Sequence, residues 1–297
     1  MKLIEPLLRR HKLTIVETFT AGHKCQMVYK VTRGDEECVL KVGLTEESVA
    51  EIQKNIRGYE LLRNQGLNFF IPKVYASGIE NDSIFILMEY CGDCFSGKIQ
   101  QENSPEKLYE KLINDLLFVY SSTKTAVHKQ SISLEQVQKV IVDQYKRYLS
   151  SPFDPGEVIL PQLASVLDMI KLGNCFDCFA SWDFTPQNVF IPNGQVKYVD
   201  PNDQVVGIPI IDLACFAGVI HDVELLPAKE IGYELLQNSV LSVATILEIP
   251  ENKAMQIFYL GRVLQSFLSS RFRIVSNPTK ALWFFNQGVK YLEKITK

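Results

Sequence analysis

Residues 181–203 read SWDFTPQNVFIPNGQVKYVDPND and hold the side chains best suited to chemistry. Asp183 and Asn188 stand in an Asp-x-x-x-x-Asn spacing, and Asp200 follows an apolar segment. That segment, VFIP-NG-QVKYV, centres on Asn193-Gly194, a strong signal for a two-residue hairpin turn. A hairpin sets its two ends side by side, so Asn188 and Asp200 are expected at one edge, near Asp183. A carboxylate and an amide oxygen there suit Mg²⁺, which takes oxygen ligands in near-octahedral geometry. A second carboxylate can orient a hydroxyl group and accept its proton. These are the needs of phosphoryl transfer, in which Mg²⁺ offsets the charge of the phosphates. Asp and Asn also favour turns for local reasons, so the first spacing alone says little. The hairpin and the Asp that follows it carry the reading.

Such a cluster needs a scaffold, and the first hundred residues read as strands with one helix. LTIVETFTAG and CQMVYKVTRGDEECVLKVG contain β-rich runs broken at Gly22 and at Arg33-Gly34-Asp35. A helix is predicted from about Glu46 to Arg63, where Val49, Ile52, Ile56, Tyr59 and Leu62 recur at helical spacing. Strands are expected after Ile71-Pro72-Lys73-Val74 and over Ser83 to Tyr90. The sum is a small antiparallel sheet crossed by one helix. From about Ser104 the pattern turns helical, over 105–122, 133–149 and 161–172. A mainly β stretch interrupts near 176–212, and helices return over about 222–247, 252–272 and 278–295. The expected domains are 1–92 and 93–297, with the boundary near Gly92.

Composition narrows the partners. The 297 residues are 46% hydrophobic and 22% charged, with a formal net charge of −3. That is ordinary for a globular protein and lacks the basic excess of a duplex-binding one. No run of about 18 apolar residues appears, so no membrane helix is expected. The N-terminus MKLIEPLLRRHKL does not read as a secretory signal, which makes the cytoplasm the expected compartment. Seven cysteines include two CxxC pairs, Cys91 with Cys94 and Cys175 with Cys178. Four thiolates could hold zinc. The pairs lie about 80 residues apart, against roughly 12–20 in common zinc modules, so buried free thiols are expected instead.

Residues 181–214 resemble the catalytic and metal-binding segments of the aminoglycoside phosphotransferase and choline kinase superfamily. That superfamily shows His-Gly-Asp-x-x-x-x-Asn, a hairpin, an Asp, and then Gly-x-Pro-x-x-Asp-Leu-Ala. The last element is matched in full by Gly207-Ile208-Pro209-Ile210-Ile211-Asp212-Leu213-Ala214. Ser181 and Trp182 replace the His and Gly. The resemblance implies an α+β, bilobal protein-kinase-like fold, with a small β-rich N-lobe and a larger helical C-lobe. It implies Asp183 as catalytic base, Asn188 and Asp200 as Mg²⁺ ligands, and Asp212 as a structural tie. Lys41 resembles the strand lysine that contacts ATP phosphates. Gly22 and His23, with Lys24, fall where a loop would cover them; an exposed turn is an equal alternative. Met88 would line the adenine pocket, and backbone groups of Glu89 and Cys91 would bond to adenine. The helix glutamate that pairs with the lysine is replaced in register by Asn55; Glu51, one turn earlier, is favoured over Glu60.

The resemblance implies an ATP- and Mg²⁺-dependent kinase acting on a small hydroxylated molecule, as monomer or homodimer, without nucleic-acid or membrane partners. A nucleotide-binding pseudokinase is the alternative, motivated by Ser181 and by the missing glutamate. Kinase activity on proteins is disfavoured, because only eleven residues separate Asp200 from Asp212, too few for the usual peptide-binding loop. Asp222, Glu224, Glu230 and Glu234 are candidate acidic contacts for a cationic acceptor. Phe284 and Phe285 can equally be core.

Overall fold

In the computed structural model, the β-rich runs of the first hundred residues form one antiparallel sheet. The structure describes residues 4–19, 27–80, 83–124, 127–129, 139–143, 159–170, 174–176, 178–181, 183–203, 206–224 and 226–296. The chain divides into two compact units, Met1–Cys94 with Asn188–Val205, and Phe95–Gln187 with Val206–Lys297.

The first unit opens with α1 (Glu5–His11), followed by β1 (Thr14–Phe19), β2 (Met27–Arg33) and β3 (Glu36–Gly43). Next come α2 (Glu46–Asn64), β4 (Val74–Glu80) and β5 (Ser83–Glu89). The five strands lie in the order β1-β2-β3-β5-β4, every pair antiparallel. Arg33 pairs with Glu36, so Gly34-Asp35 forms the expected two-residue turn, with Gly34 at φ 63°. Side chains alternate across β3. Cys38, Leu40 and Val42 join Val31, Phe85 and Leu87 in a core closed by Leu7 of α1 and by Ile4 just before it. Lys41 therefore belongs to the opposite face. The helix α1 was not among the expected elements, since seven residues are too few to show a period.

α2 begins where Thr45 caps it: the Thr45 hydroxyl accepts the Ser48 N–H, and the Ser48 hydroxyl accepts the Thr45 N–H. Its buried face is Ser48, Ile52, Asn55, Gly58, Tyr59 and Leu62. Val49 and Ile56, expected on that face, are half-buried. The unit is completed by a hairpin of β9 (Val189–Phe190) and β10 (Lys197–Tyr198). Asn193 has φ 50° and ψ 33°, Gly194 has φ 75°, and the Gln195 N–H donates to the Pro192 carbonyl at 3.0 Å. Both central residues at positive φ define the primed turn that Asn-Gly favours.

The second unit is helical: α3 (Phe95–Gln101), α4 (Pro105–Ser122), α5 (Ile159–Met169), α6 (Ile210–Gly218), α7 (Lys229–Leu247), α8 (Glu251–Arg271) and α9 (Pro278–Thr296). α8 packs against α6, α7 and α9, and α4 packs on α7. Short pairs β6 (Val127–Lys129) with β7 (Asn174–Phe176), and β8 (Cys178–Phe179) with β11 (Val206–Gly207), complete it. α7 begins at Lys229, later than the expected 222. Val219–Val223 forms a wider turn, and Pro227 lacks the N–H a continuing helix needs. Most of the helix expected over 133–149 lies outside the described residues. Phe284 and Phe285 are buried, and Phe285 stacks on Phe267.

Candidate active site

Lys41 is the only buried lysine among the described residues, and its ammonium forms an ion pair with the carboxylate of Asp200. Asp200 stands at the foot of the β9–β10 hairpin. The Val199 N–H donates to the Asn188 carbonyl at 2.9 Å, so Asn188 and Asp200 occupy neighbouring places across the hairpin base. Asp200 has φ 58°, a left-handed conformation unusual for a residue with a Cβ. Such conformations persist where the surroundings over-determine them, and three groups do so here. Lys41 takes the carboxylate, the Tyr59 hydroxyl accepts the Asp200 N–H at 3.2 Å, and Asn55 donates to the Pro201 carbonyl at 3.1 Å. The hairpin itself is pinned by Lys197, which meets the Glu89 carboxylate at 3.1 Å and the Ile71 carbonyl at 3.0 Å.

α2 can approach this loop closely because residue 58 is glycine. A Cβ there would lie 2.4 Å from the Asn202 carbonyl oxygen and 2.7 Å from that of Pro201. Gly58→Ala must push the loop away, and Asp200 with it. We expect about 1–3 kcal/mol of lost stability, typical of overpacking, read as a lowered denaturant midpoint. An unchanged midpoint would show that the helix and loop have room to spare.

Tyr59 and Asn55 as holders of the Asp200 loop were not legible beforehand. Tyr59 counted only as an apolar member of a helical stripe, yet a buried tyrosine needs a partner for its hydroxyl. That hydroxyl also donates to the Met88 sulfur at 3.4 Å. Burial, then the charge of Asp200, hold its pKa well above the usual tyrosine value. Asn55 is buried, and its side-chain carbonyl oxygen has no hydrogen-bond partner among the described residues. Glu51 is half-buried one turn before it.

Met88 is buried on β5. The Glu89 N–H donates to the Lys73 carbonyl at 2.9 Å, and its carboxylate also accepts the Lys73 N–H at 3.0 Å. Cys91 is buried, and burial, then the charge of Glu89, push its thiol up to about 12. A thiol held protonated at neutral pH is a poor zinc ligand. Gly22 and His23 lie outside the described residues, as does Trp182.

Asp183 belongs to the helical unit, five residues before Asn188 in the chain. It is exposed, whereas Phe184 beside it is buried against Phe216, ring centres 5.3 Å apart. The loop is therefore anchored by an apolar plug that leaves its carboxylate outward. Ser181 is fully buried; its hydroxyl accepts the Asp183 N–H at 3.3 Å, and its own N–H donates to the Asp212 carboxylate at 2.5 Å. Asp212, in the first turn of α6, is buried as well. Ser181 thus supplies an oxygen to the loop backbone. Ser181→Ala removes it, and a loss of about 0.5–1.5 kcal/mol in stability is expected for one neutral hydrogen bond, measurable by urea unfolding.

By sequence the chain matches no described family and no curated protein. Its structure does find counterparts. The ADP-bound aminoglycoside phosphotransferase APH(2'')-Ib superposes with a TM-score of 0.60 at 14% identity, covering 98% of this chain and 96% of its own. The choline kinase LicA from Streptococcus pneumoniae gives 0.59 at 14% identity, with 99% and 98% covered. This chain has the aminoglycoside phosphotransferase and choline kinase fold. A choline kinase from Cryptosporidium parvum Iowa II gives 0.61 at 11% identity, covering 99% and 95%. Within this kinase-like fold one unit is β-rich and the other helical, and the β-rich unit also takes in Asn188–Val205, which the expected division near Gly92 had left with the helical part. No helix among the described residues is long and apolar enough to cross a membrane.

Proposed function

We propose that the protein is an ATP- and Mg²⁺-dependent phosphotransferase that moves the γ-phosphate to a hydroxyl of a small molecule. The observation that carries this reading is the Lys41–Asp200 pair, set beside Asn188 at the base of the hairpin. It falls in a chain with the fold of proteins that are named as aminoglycoside and choline kinases, one of them ADP-bound.

Asp200 and Asn188 offer one carboxylate and one carboxamide oxygen, a donor set that fits a hard divalent cation. Bound there, Mg²⁺ supplies positive charge against the phosphate oxygens. Lys41 holds the nucleotide phosphates with its ammonium, and Gly22 and His23 lie in the loop assigned to cover them. Met88 lines the adenine site, with the Glu89 carbonyl and the Cys91 N–H bonding the base; Glu51 is assigned to steady Lys41. Asp183 orients the acceptor hydroxyl and takes its proton. The new bond joins that hydroxyl oxygen to the γ-phosphorus, the bond from the γ-phosphorus to the β–γ bridging oxygen breaks, and ADP leaves with that oxygen.

The test is ADP release from MgATP in the presence of hydroxylated acceptors such as sugars, choline or aminoglycosides. Asp200→Ala should weaken Mg²⁺-dependent nucleotide binding by at least about tenfold, the lower end for losing even an outer partner of a metal ligand. Calorimetry that shows equal affinity would remove Asp200 from the metal site. A second reading, nucleotide binding without turnover, is favoured by Asn55, which puts a neutral amide on α2 where an acid is expected. MgATP binding with no ADP release on any acceptor would select it.

A further inference from the structure

Two bridges tie the end of β5, where the base is assigned to bind, to the hairpin that ends at Asp200. One is Lys197, which joins the Glu89 carboxylate to β10, three residues before Asp200. The other is Tyr59 on α2, and it reaches the Asp200 backbone itself. Its hydroxyl donates to the Met88 sulfur at 3.4 Å and accepts the Asp200 N–H at 3.2 Å. Tyr59 and Met88 are both buried, so the hydroxyl is shielded from bulk water. A hydroxyl has one proton to give. With that proton on Met88, a lone pair is left for Asp200, and one orientation of the O–H serves both bonds.

Asp200 depends on this bond more than most residues would. Its φ of 58° is disfavoured for a residue with a Cβ, so the conformation lasts only where neighbours enforce it. Of its three holders, Lys41 acts on the carboxylate and Asn55 on the Pro201 carbonyl. Tyr59 is the one that holds the Asp200 N–H. That bond is to the backbone, so it keeps its hold when the carboxylate is engaged elsewhere. Tyr59 can reach this far because Gly58 lets α2 lie against Pro201 and Asn202.

We propose that Tyr59 is a positioning residue that couples the two ends of the nucleotide site. Through the Met88–Tyr59–Asp200 relay, a base bound against Met88 and a divalent cation bound at Asp200 strengthen each other. Such coupling is reciprocal by linkage. The proposal rests on the phosphotransferase reading above.

Tyr59→Phe keeps the ring and removes only the hydroxyl. ADP is titrated calorimetrically into the full chain with saturating Mg²⁺ and with EDTA, and the ratio of the two affinities is the Mg²⁺ gain. In Tyr59→Phe that gain should shrink about three- to tenfold, the worth of one hydrogen bond, while metal-free affinity changes by less than about twofold. A residue that only supports the fold would weaken both titrations alike. Met88→Leu conserves volume and removes the sulfur. It should also shrink the gain, and add nothing in a Tyr59→Phe background, because both act through one hydroxyl. It carries the test alone if Tyr59→Phe does not fold. Amide hydrogen exchange in the ligand-free chain needs neither ligand: the Asp200 N–H should exchange about three- to tenfold faster in Tyr59→Phe. An unchanged Mg²⁺ gain in the variants, additive losses in the double variant, or an Asp200 amide that exchanges as before overturns the proposal. A wild type whose ADP affinity ignores Mg²⁺ sinks the phosphotransferase reading and the coupling with it. A wild type that shows the gain, with a Tyr59→Phe variant that keeps it, sinks the coupling alone.

Discussion

Asp183→Asn should cut turnover by about 10²–10⁴-fold, the usual worth of a positioned general base, while MgATP affinity stays close to wild type. The asymmetry follows from the assigned role. The amide keeps the shape and can still hold the acceptor hydroxyl, but it cannot take a proton as the new bond forms. An interaction lost only in the transition state lowers kcat and kcat/KM together and leaves ground-state binding alone. The fold should tolerate the change, because the Asp183 side chain is exposed and the loop is anchored by Phe184, Ser181 and Asp212. Matched ADP-release assays and nucleotide titrations check both halves. A fully active variant would strip Asp183 of its role; a variant that fails to bind MgATP would show that it acts on the nucleotide instead.

How much of this was legible in the sequence depended on whether the signal was local. The Asn193-Gly194 turn, the Gly34-Asp35 turn and the helix α2 are written in neighbouring residues; both turns formed as read, and α2 formed with Ile52, Tyr59 and Leu62 of its expected stripe buried. The neighbourhood of Asn188 and Asp200 followed from the hairpin alone. What holds Asp200 in place was not legible, because Tyr59 and Asn55 lie more than 140 residues away in the chain. Periodicity marks Tyr59 as buried, but not what it touches, and leaves Asn55 outside the apolar stripe. The late start of α7 was likewise hidden: helical spacing runs through His221 and Asp222, and their side chains are committed to Glu230 and Arg262. Ser181 shows the same limit from the other side. As a departure from a motif it counts as a loss, yet its hydroxyl reaches the Asp183 N–H.

Arg262 should carry the largest stability effect in the helical unit. It lies in the middle of α8, with its side chain at 0% exposure. The guanidinium donates to Asp222 at 2.5 Å, to the Tyr291 hydroxyl at 2.8 Å and to Gln265 at 3.3 Å. The rings of Tyr291 and Tyr233 lie 4.6 and 5.5 Å from it. Burial works to lower its pKa, and the Asp222 charge, with Tyr291 after it, more than restores it, so the group stays protonated. Removing one member of such a pair strands the other's charge away from water, which costs about 3–5 kcal/mol. Arg262→Ala should therefore lower the unfolding midpoint sharply, because the Asp222 side chain is only 3% exposed. Removing both charges is a different matter. Arg262→Met with Asp222→Leu fills similar volume and strands nothing, so it should be markedly more stable than Arg262→Ala. A double variant as unstable as the sum of the two singles would show that the pair carries no coupling, and that packing around residue 262 sets its worth.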